Sequence, residues 1–527
     1  MQSFSVPFAK TGYFSTLIND YVAKNSATQH LYHRFPSEEN FLAQIIEKQK
    51  NYNPNHRNIL ANELKKQYES FETIEKVIQN IEKLRHQNTF TITTGHQLNL
   101  FTGPLYFIYK IINTIKLCEQ IQKKYTDYQI VPVYWMATED HDFEEINYFN
   151  YKNHRITWKT HQKGAVGEFE MLDFEEVSVL VSSALGKNTH AETLKNWFIE
   201  AYQKHQNLAD ATRFLAHKLF GHKGLVIIDA NSNPLKNLFT TYLTHEILYQ
   251  KSFTEVTKTD LKNYHAQIHP REINLFYKDK NIRERIVFQE DRYHVLNTNI
   301  HFSKDELLNL VENFPEKLSP NVVMRPLYQE VILPNLCYIG GAGEIAYWMQ
   351  LKNYFDAENV PFPILLVRNS ILLVSEKQFK KPQKLNISVE ELFLKTDALI
   401  DKKTKEFSNI SIDFTPQKEH LKQQFQQLYT IAQQTDISFL KAVKAQEIKQ
   451  INGLENLEKK LLRAQKKKYS LEIAQITTLK SELFPAESLQ ERTQNFTEFF
   501  EEFGSDFLEI IYKNLEPLSQ EFKIIVV

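Results

Sequence analysis

The middle of the chain alternates between two patterns of hydrophobic and polar positions. Short, nearly continuous apolar runs of the kind that form buried strands are separated by longer segments in which apolar residues recur at helical spacing. This alternation is typical of βαβ units, so we expect an α/β fold with a mostly parallel, doubly wound sheet. The apolar runs predict strands at residues 90–94, 130–138, 224–230, 331–340 and 363–367, and the longer segments predict helices that include residues 105–125 and 345–355.

The regions that flank and interrupt this core have their own patterns. Residues 1–88 are polar and amphipathic and predict a helical segment packed on the core, with one long helix over residues 59–85. Residues 232–330 are less regular, and the alternating positions near residues 276–296 predict an antiparallel hairpin within an insertion. We therefore expect a core domain over residues 89–370 that carries this insertion.

The C-terminal part of the chain has the pattern of long amphipathic helices. Thr415 and Pro416 begin a glutamine-rich segment, and residues 436–484 contain no proline while their leucines keep heptad spacing that slips once. The second stretch predicts an antiparallel coiled-coil pair. We expect a helical coiled-coil domain over residues 371–495, followed by a last segment, residues 496–527, that returns to the core.

Composition indicates a globular protein with ample core material. Of 527 residues, 42% are hydrophobic and 13% aromatic, and a chain of this length usually forms more than one domain. The 63 basic and 64 acidic residues nearly cancel, so no overall basic field favours nucleic acid as a partner. Cys118 and Cys337 lie far apart in apolar surroundings and predict reduced thiols. No apolar run is long enough to span a membrane and the start lacks a signal-peptide pattern, so we expect a cytoplasmic protein.

The stretch TITTGHQLNLFTGPLYFIYK, residues 91–110, joins a predicted strand to a predicted helix. Its loop follows the carboxyl end of the strand, where open α/β sheets bind ligands, and the start of the next helix offers free N–H groups to an anion. We expect His96 and Gln97 to donate to a phosphate or to a developing oxyanion. A tight turn with a surface histidine is the alternative. The expected phosphate-binding residues are Thr94, Gly95, Thr102, Gly103 and Lys110.

The stretch VPVYWMATEDHDFEEINYF places a cluster of ionisable groups after a second apolar strand. Glu139, Asp140, His141 and Asp142 are costly to crowd together unless a cation, an ammonium group or a hydroxyl-rich ligand meets them. Adjacent residues of an extended segment point to opposite sides, so at most two of them easily share an ion, and we expect no tightly bound metal. Asp142 and Glu145 can also cap the next helix, while Asp140 and His141 face the cleft.

A third stretch, SPNVVMRPLYQEVILPNLCYIGGAGEIAYWMQLK, contains a glycine pattern typical of dinucleotide-binding loops. The next predicted strand ends in Arg368 and Asn369, where an acidic ribose ligand is expected, and Glu344 would repel a pyrophosphate. We therefore interpret the loop as part of a substrate pocket. The expected substrate-binding residues are Asn321, Arg325, Gly341, Glu344, Tyr347 and Arg368.

Five stretches in order resemble the bacillithiol biosynthesis cysteine-adding family: TGHQLNLFTGPLYFIYKI, VPVYWMATEDHDFEEIN, SPNVVMRPLYQEVILPN, YIGGAGEIAYWMQLK and ELFPAESLQER. The resemblance implies a Rossmann-like core of the kind found in nucleotidyltransferases and class I aminoacyl-tRNA synthetases, with connecting insertions. It also implies a C-terminal coiled coil that pairs two subunits into a homodimer. The implied reaction is that of a ligase, which joins the carboxyl group of L-cysteine to the amino group of glucosaminyl-malate and so completes bacillithiol.

This implied reaction assigns roles to the predicted residues. An amide needs an activated carboxylate, most simply an acyl-adenylate, so we expect ATP, with Mg²⁺, as a cosubstrate. Asp140, His141 or Asp142 is the expected base that takes the proton from the amine, and Arg325 or Arg368 is expected to pair with the malate carboxylates. The family often has glutamine at the position of His96, which makes Gln97 the stronger candidate in the loop. No lysine-serine-lysine loop of the synthetase kind occurs, so ATP rests on analogy of fold.

Other functions remain open from the sequence alone. A nucleotide- or tRNA-binding module without ligase activity is disfavoured for tRNA by the near-zero net charge. An oxidoreductase is disfavoured by the missing acidic ribose partner, and a purely structural coiled-coil protein by the charge cluster at a strand end. A ligase that does not use ATP is the remaining alternative.

Overall fold

The fold is built around one five-stranded parallel sheet. The protein is described here by a computed structural model that covers residues 2–72, 74–152, 154–172 and 174–527. The strands are β1 (Thr89–His96), β2 (Gln129–Met136), β3 (Val226–Asp229), β4 (Asn335–Gly340) and β5 (Ile364–Val367). Their spatial order, β3-β2-β1-β4-β5, is that of a doubly wound Rossmann-type sheet. The expected α/β class and the expected parallel sheet are confirmed.

Strand β1 lies at the centre of the sheet and is buried along its whole length. Its threonines fit there because their β-branched side chains suit a strand and their hydroxyls find partners. Thr91 and Thr93 donate to the Asn335 side-chain oxygen at 3.2 and 2.9 Å, and Thr94 donates to the Ile339 carbonyl at 2.8 Å. The sheet therefore has a rigid centre, and β1 delivers the following loop to a fixed position.

The insertion forms a second, antiparallel sheet. The predicted hairpin is present and extends to five strands, and its inner strands are joined by short turns. This sheet lies beyond the carboxyl ends of the central strands, where it contributes one wall of a cavity. Its strands, in spatial order, are His301–Phe302, Arg292–Val295, Ile282–Gln289, Leu275–Asp279 and Leu318–Pro320.

The two ends of the chain meet in a third, three-stranded sheet. Phe522–Val526 pairs antiparallel with Ser3–Val6 and parallel with Ser370–Val374. The last segment of the chain therefore lies beside the first, and both are attached to the strand that leaves the core. A small hairpin, Tyr148–Tyr151 with His154–Thr157, follows the end of β2.

Helices cover both faces of the central sheet and form the C-terminal part. None of the helices in the described part of the chain is long and apolar enough to cross a membrane. Those before β1 are Phe8–Thr11, Thr16–Val22, Glu38–Asn51, Asn55–Gln67 and Glu75–Lys83. Those from β1 to β5 are Tyr106–Lys124, Phe143–Ile146, Phe174–Ala184, Thr189–Lys204, Leu208–Phe220, Asn233–Asn237, Thr240–Tyr249, Lys251–Thr257, Lys304–Asn313, Arg325–Ile332, Ala342–Met349 and Lys352–Ala357. Those after β5 are Glu376–Lys384, Thr396–Phe407, Thr415–Ala432, Ile437–Lys468, Ser470–Leu483, Gln490–Thr493, Phe496–Phe503 and Asp506–Asn514.

A coiled-coil hairpin is present, but the two helices that form it are not the expected ones. Thr415–Ala432 packs antiparallel against Ile437–Lys468, a helix of 32 residues with no internal turn. Phe425 and Val443 are buried between the two helices. The expected pairing within residues 436–484 is wrong, because the heptad pattern continues straight through the position at which a turn would be needed.

Two other predicted elements have different bounds. The expected strand over residues 331–340 begins only at Asn335, because Arg325–Ile332 is a helix with a proline in its first turn, where that residue is favoured. The expected helix over residues 59–85 is two helices. The first, Asn55–Gln67, ends just before Tyr68. The Tyr68 side chain is buried, and its hydroxyl accepts a hydrogen bond from the Ile227 N–H at 2.8 Å.

Candidate active site

The carboxyl ends of the central strands border a cavity of about 660 Å³. Its walls come from the ends of β1 and β2, the helices Tyr106–Lys124 and Ala342–Met349, and the antiparallel sheet of the insertion. Strand order reverses between β1 and β4, and open α/β sheets bind ligands beside such a reversal. The cavity is therefore the candidate active site.

Most site residues predicted from the sequence do line this cavity. They are Gly95, His96, Gln97, Lys110, Asp140, His141, Asp142, Asn321, Arg325, Glu344 and Tyr347. The remaining five lie elsewhere: Thr94 is bonded within the sheet, Thr102 and Gly103 belong to a buried turn, and Gly341 and Arg368 line a separate small depression.

The turn at Thr102 and Gly103 is packed against the C-terminal segment. Both residues have positive φ angles, 69° and 65°, and a Cβ atom at position 103 would lie 2.5 Å from the Asn99 Cβ, so glycine is required. The N–H groups of both residues donate within the turn, to Asn99 and Leu100, and the Asn495 side chain donates to the Gly103 carbonyl at 2.5 Å. The N–H groups of the predicted phosphate cradle therefore already donate within this turn, and phosphate binding here stays a prediction.

Lys110 and Glu344 form an ion pair on the wall of the cavity. The Lys110 Nζ lies 2.6 Å from Glu344 Oε1 and donates to the Gly95 carbonyl at 2.6 Å. Glu344 also accepts from the Tyr338 hydroxyl at 2.7 Å and from the Gly341 N–H at 3.1 Å. Burial raises the pKa of Glu344, but the charge of Lys110 and the hydrogen bonds from Lys110, Tyr338 and the Gly341 N–H together outweigh burial, so the pKa is lowered and the carboxylate stays ionised. Each charge of this pair therefore has a partner within the protein, and both side chains line the cavity.

Gln97 is held between two carboxylates. Its Nε2 donates to Asp140 Oδ2 and to Glu145 Oε2, both at 3.0 Å. Asp140 in turn accepts the backbone N–H of His141 at 2.8 Å. The amide hydrogens of Gln97 are thus used, and its carbonyl oxygen is the group left for a ligand. We expected a donor to a phosphate here, and the geometry instead presents an acceptor next to a fixed carboxylate.

His141 contacts an arginine from the insertion. Arg283 Nη1 lies 2.5 Å from His141 Nδ1, and since arginine can only donate, Nδ1 is the acceptor. One ligand atom from each of Asp140, His141 and Asp142 lies within 4.8 Å of the others, close enough to hold a cation, but the Arg283 guanidinium already lies at this point. The expected side-chain cap from Asp142 is not formed at the described helix Phe143–Ile146.

Arg325 is enclosed by aromatic rings. Its guanidinium lies 5.8 Å from the centre of the Trp135 ring, and it donates to Gln329 at 3.2 Å and to the Tyr347 hydroxyl at 3.4 Å. Burial lowers the pKa of Arg325, but the neighbouring tyrosine hydroxyls and Glu344 outweigh burial, so the pKa is raised and the charge is kept. Arg325 is therefore a permanently charged donor inside the cavity.

His96 is buried at the carboxyl end of β1. The rings of Tyr106 and Phe107 pack against it, and its Nε2 has no hydrogen-bond partner among the described residues. Burial lowers the pKa of His96 well below its usual value, and the charge of Lys110 adds to this, while a hydrogen bond to the Thr102 backbone opposes it. The imidazole is therefore neutral, with one unpartnered nitrogen.

Two family descriptions match the chain over nearly its whole length. "Bacillithiol biosynthesis BshC, N-terminal Rossmann-like domain" matches residues 1–369, and "Bacillithiol biosynthesis BshC, C-terminal coiled-coil domain" matches residues 371–527. The chain belongs to the BshC family. The family resemblance inferred from five stretches, the Rossmann-like core and the C-terminal coiled coil are confirmed.

Relatives of this BshC chain are similar across their full length. A protein from Flavobacterium johnsoniae named "Putative cysteine ligase BshC" is 54% identical over 524 residues, which cover 99% of each chain. Proteins of the same name are 54% identical over 523 residues in Flavobacterium psychrophilum and 37% identical over 511 residues in Cytophaga hutchinsonii. The alignment with the Flavobacterium psychrophilum protein covers 99% of this chain and 98% of the relative, and the alignment with the Cytophaga hutchinsonii protein covers 96% of this chain and 95% of the relative.

The BshC cavity also contains residues that the sequence did not predict. The insertion contributes four basic side chains: His269, Arg271, Arg283 and Arg285. Arg283 and Arg285 lie two positions apart on the strand Ile282–Gln289, so they share one face of that strand. This spacing was the signal in the sequence that could have indicated a shared site. Only the fold shows that this face borders the cavity.

The residues that the sequence predicts to bind phosphates have partners within the protein. Lys110 is neutralised by Glu344, and the N–H groups at Thr102 and Gly103 are bonded within their turn. The glycine pattern that begins at Gly341 is a helix start whose first N–H is capped by Glu344. We therefore derive no step through ATP phosphates or Mg²⁺ at these residues.

We expect replacement of His96 by glutamine to leave the shape of the pH profile of activity unchanged between about pH 6 and pH 8, because the buried ring is neutral there. The kcat/KM should change by less than about threefold, because the glutamine carbonyl oxygen can replace the ring nitrogen as an acceptor. The unfolded ring takes up a proton near 6.5 and the folded ring does not, so wild-type stability should fall as pH drops below that value. Thermal melts should show a smaller fall in the variant, and an altered acid limb of activity would contradict the neutral ring.

Proposed function

We propose that this protein is a cysteine ligase of bacillithiol biosynthesis, which joins the carboxyl group of L-cysteine to the amino group of glucosaminyl-malate. The name of its relatives, at 54% identity over 99% of the chain, supports this proposal. The observation that carries it is the arrangement of Asp140 and Gln97, a fixed carboxylate beside a free carbonyl oxygen in a cavity at the sheet edge. Such a pair suits an ammonium group that must lose a proton before it can attack.

In this proposal Asp140 is the base. Gln97 and the His141 N–H orient its carboxylate, while the free Gln97 oxygen accepts from the incoming amine. Asp140 takes the proton, the nitrogen lone pair attacks the activated acyl carbon of cysteine, and the bond from that carbon to the oxygen of the activating group breaks, so that the activating group leaves with the bonding electrons. Arg325, half-buried and charged, is the donor that meets the negative charge developing on the acyl oxygen.

The carboxyl group of cysteine must be activated, because a free carboxylate does not form an amide with an amine in water. We propose ATP, with Mg²⁺, as the source of activation on chemical grounds and by analogy of fold. We propose the cytoplasm as the place of reaction, since Cys118 and Cys337 are buried free thiols, a state that a reducing compartment maintains.

Product formation tests this function. Purified protein is incubated with cysteine and glucosaminyl-malate, with and without ATP and Mg²⁺, and bacillithiol is measured by mass spectrometry. We expect product only with ATP, with AMP and pyrophosphate released. Product without ATP would keep the ligation and remove the activation step. N-acetylated glucosaminyl-malate, which lacks the free amine, is the matched negative control, and absence of product under every condition would contradict the proposal.

We also infer that the coiled-coil hairpin pairs two subunits. Leu428, Ile431 and Leu457 are 41%, 55% and 54% exposed, which is unusual for apolar side chains of this size on a helix pair. Helical spacing and the antiparallel pairing place the three on one face of the hairpin. A second copy of the chain would cover this face and remove its apolar surface from water.

Replacement of Leu457 by lysine is therefore expected to convert a dimer to a monomer, because a buried lysine at the contact would lack a partner. Light scattering after size exclusion measures the mass, and thermal melts check the fold. Ile448→Lys is the matched control, since Ile448 is 50% exposed but lies half a helical turn away around the same helix. A wild-type monomer, or equal effects of both variants, would contradict the inference.

A further inference from the structure

The wall of the cavity formed by the insertion carries three arginines, Arg271, Arg283 and Arg285, that form no direct ion pair with the described residues. Arg283 is 8% exposed, lies 4.0 Å from the centre of the Phe276 ring and donates to Ser319 Oγ at 3.1 Å and to His141. Within the described ranges, no carboxylate oxygen lies within 4.0 Å of the guanidinium nitrogens of Arg283, Arg271 or Arg285. Arg283 is buried, Arg285 is half-buried and Arg271 is exposed. A buried charge such as that of Arg283 is costly without a partner, so this wall is suited to an anion that arrives from outside.

The charges around the cavity indicate what kind of anion fits. The pairs Lys110–Glu344 and Lys236–Glu139, at 2.6 and 2.7 Å, neutralise themselves. The other charged lining residues are four arginines and two aspartates, which leaves an excess of two positive charges for a dianion: Arg271, Arg283, Arg285, Arg325, Asp140 and Asp142.

The arginines and the aspartates belong to different parts of the cavity wall. Arg283 and Arg285 project from one face of the strand Ile282–Gln289, and Arg271 comes from the segment before the neighbouring strand. Asp140 belongs to the loop after β2, and the contact between His141 and Arg283 joins that loop to the arginine wall. A molecule with an amine at one end and carboxylates at the other matches this arrangement.

We propose that Arg271, Arg283 and Arg285 bind the two carboxylates of the acceptor substrate and so select amino sugars that carry a dicarboxylate group over neutral amino sugars. The planar guanidinium groups match carboxylates with paired hydrogen bonds, and Arg283 has its remaining donors free for this purpose. This inference rests on the proposed function for the identity of the substrate. It places carboxylate recognition on the wall of the insertion, whereas the sequence predicted Arg325 or Arg368 for this role.

Binding measurements test the proposal without any need for turnover. Isothermal titration of the full-length protein uses glucosaminyl-malate, L-malate, methyl glucosaminide, which has no carboxylate, and inorganic phosphate. The variants are Arg285→Gln and Arg283→Met, and the matched control is Arg292→Gln, an exposed arginine of the neighbouring strand outside the cavity. Thermal melts accompany each variant. Since Arg283 is buried without a carboxylate partner, we expect Arg283→Met to melt no lower than the wild type.

We expect the wild type to bind glucosaminyl-malate and malate more tightly than methyl glucosaminide. Arg285→Gln and Arg283→Met should weaken binding of glucosaminyl-malate about tenfold to hundredfold, as expected for loss of a hydrogen bond to a charged group. Arg292→Gln should bind as the wild type does. Unchanged binding in both cavity variants would overturn the proposal, and so would a wild type that binds phosphate but not malate. If the dicarboxylate binds as expected but no ligation occurs, only the proposed function fails.

Discussion

Replacement of Arg368 by methionine is expected to lower the free energy of unfolding by about 3–5 kcal/mol, because it leaves a buried carboxylate without its partner. Arg368 donates to both oxygens of Glu491, at 3.0 and 2.8 Å, and the two side chains are only 5% and 1% exposed. Burial lowers the pKa of Arg368, but the charge and hydrogen bonds of Glu491, with smaller effects of Glu344 and Tyr106, together outweigh burial and raise the pKa, so the pair is ionised. The pair joins the end of the core to a helix of the C-terminal part.

Urea unfolding measures this effect, and two further variants control it. Arg368→Met combined with Glu491→Met removes both charges and should recover most of the lost stability. Arg492→Met removes an exposed arginine next to Glu491 and should change stability by less than about 0.5 kcal/mol. A stable Arg368→Met protein with an increased KM for glucosaminyl-malate would instead favour the substrate role that the sequence suggested.

Replacement of Asp140 by asparagine is expected to lower kcat about 100-fold to 10,000-fold, which is the usual contribution of a positioned base. The variant keeps the shape of the side chain but cannot take the proton from the amine. Since Asp140 makes its hydrogen bonds at the cavity surface, we expect little change in the melting temperature. Ligation is measured at saturating substrate, so that a loss of binding is not mistaken for a loss of chemistry.

Asp142→Asn is the matched control for this variant. Asp142 lies two residues away, its side chain is 59% exposed, and no hydrogen bond orients it among the described residues. We expect its replacement to lower kcat far less than Asp140→Asn does. Equal losses would show that the cluster acts as a unit, and retention of activity in Asp140→Asn would remove Asp140 as the base.

Local patterns predicted the centre of the fold because the determinants there are local. Strand β1 and the helix Tyr106–Lys124 are each specified by their own residues, and both occur within two residues of the expected bounds. The pairing of Thr415–Ala432 with Ile437–Lys468 was missed, because two amphipathic helices with similar stripes can pair in more than one way. Strand order also depends on long-range contacts that no local pattern contains.

Local patterns also predicted some residues of the candidate site and missed others. Gln97, Asp140 and their neighbours were predicted because they follow buried strands, and parallel strands end at a common edge. The ion pair of Arg368 with Glu491 could not be predicted, because Glu491 lies 123 residues further along the chain. The arginines of the insertion were missed for the same reason. Arg283 and Arg285 become site residues only when the second sheet is placed over the first.

The most direct test of the central claim is a crystal structure of the protein with glucosaminyl-malate bound. We predict that the ligand occupies the cavity at the ends of β1 and β2, with its amine within hydrogen-bond distance of Asp140 and the Gln97 oxygen. Its carboxylates should contact Arg283 and Arg285. A ligand bound elsewhere, or bound in the cavity with its amine directed away from Asp140, would contradict the account.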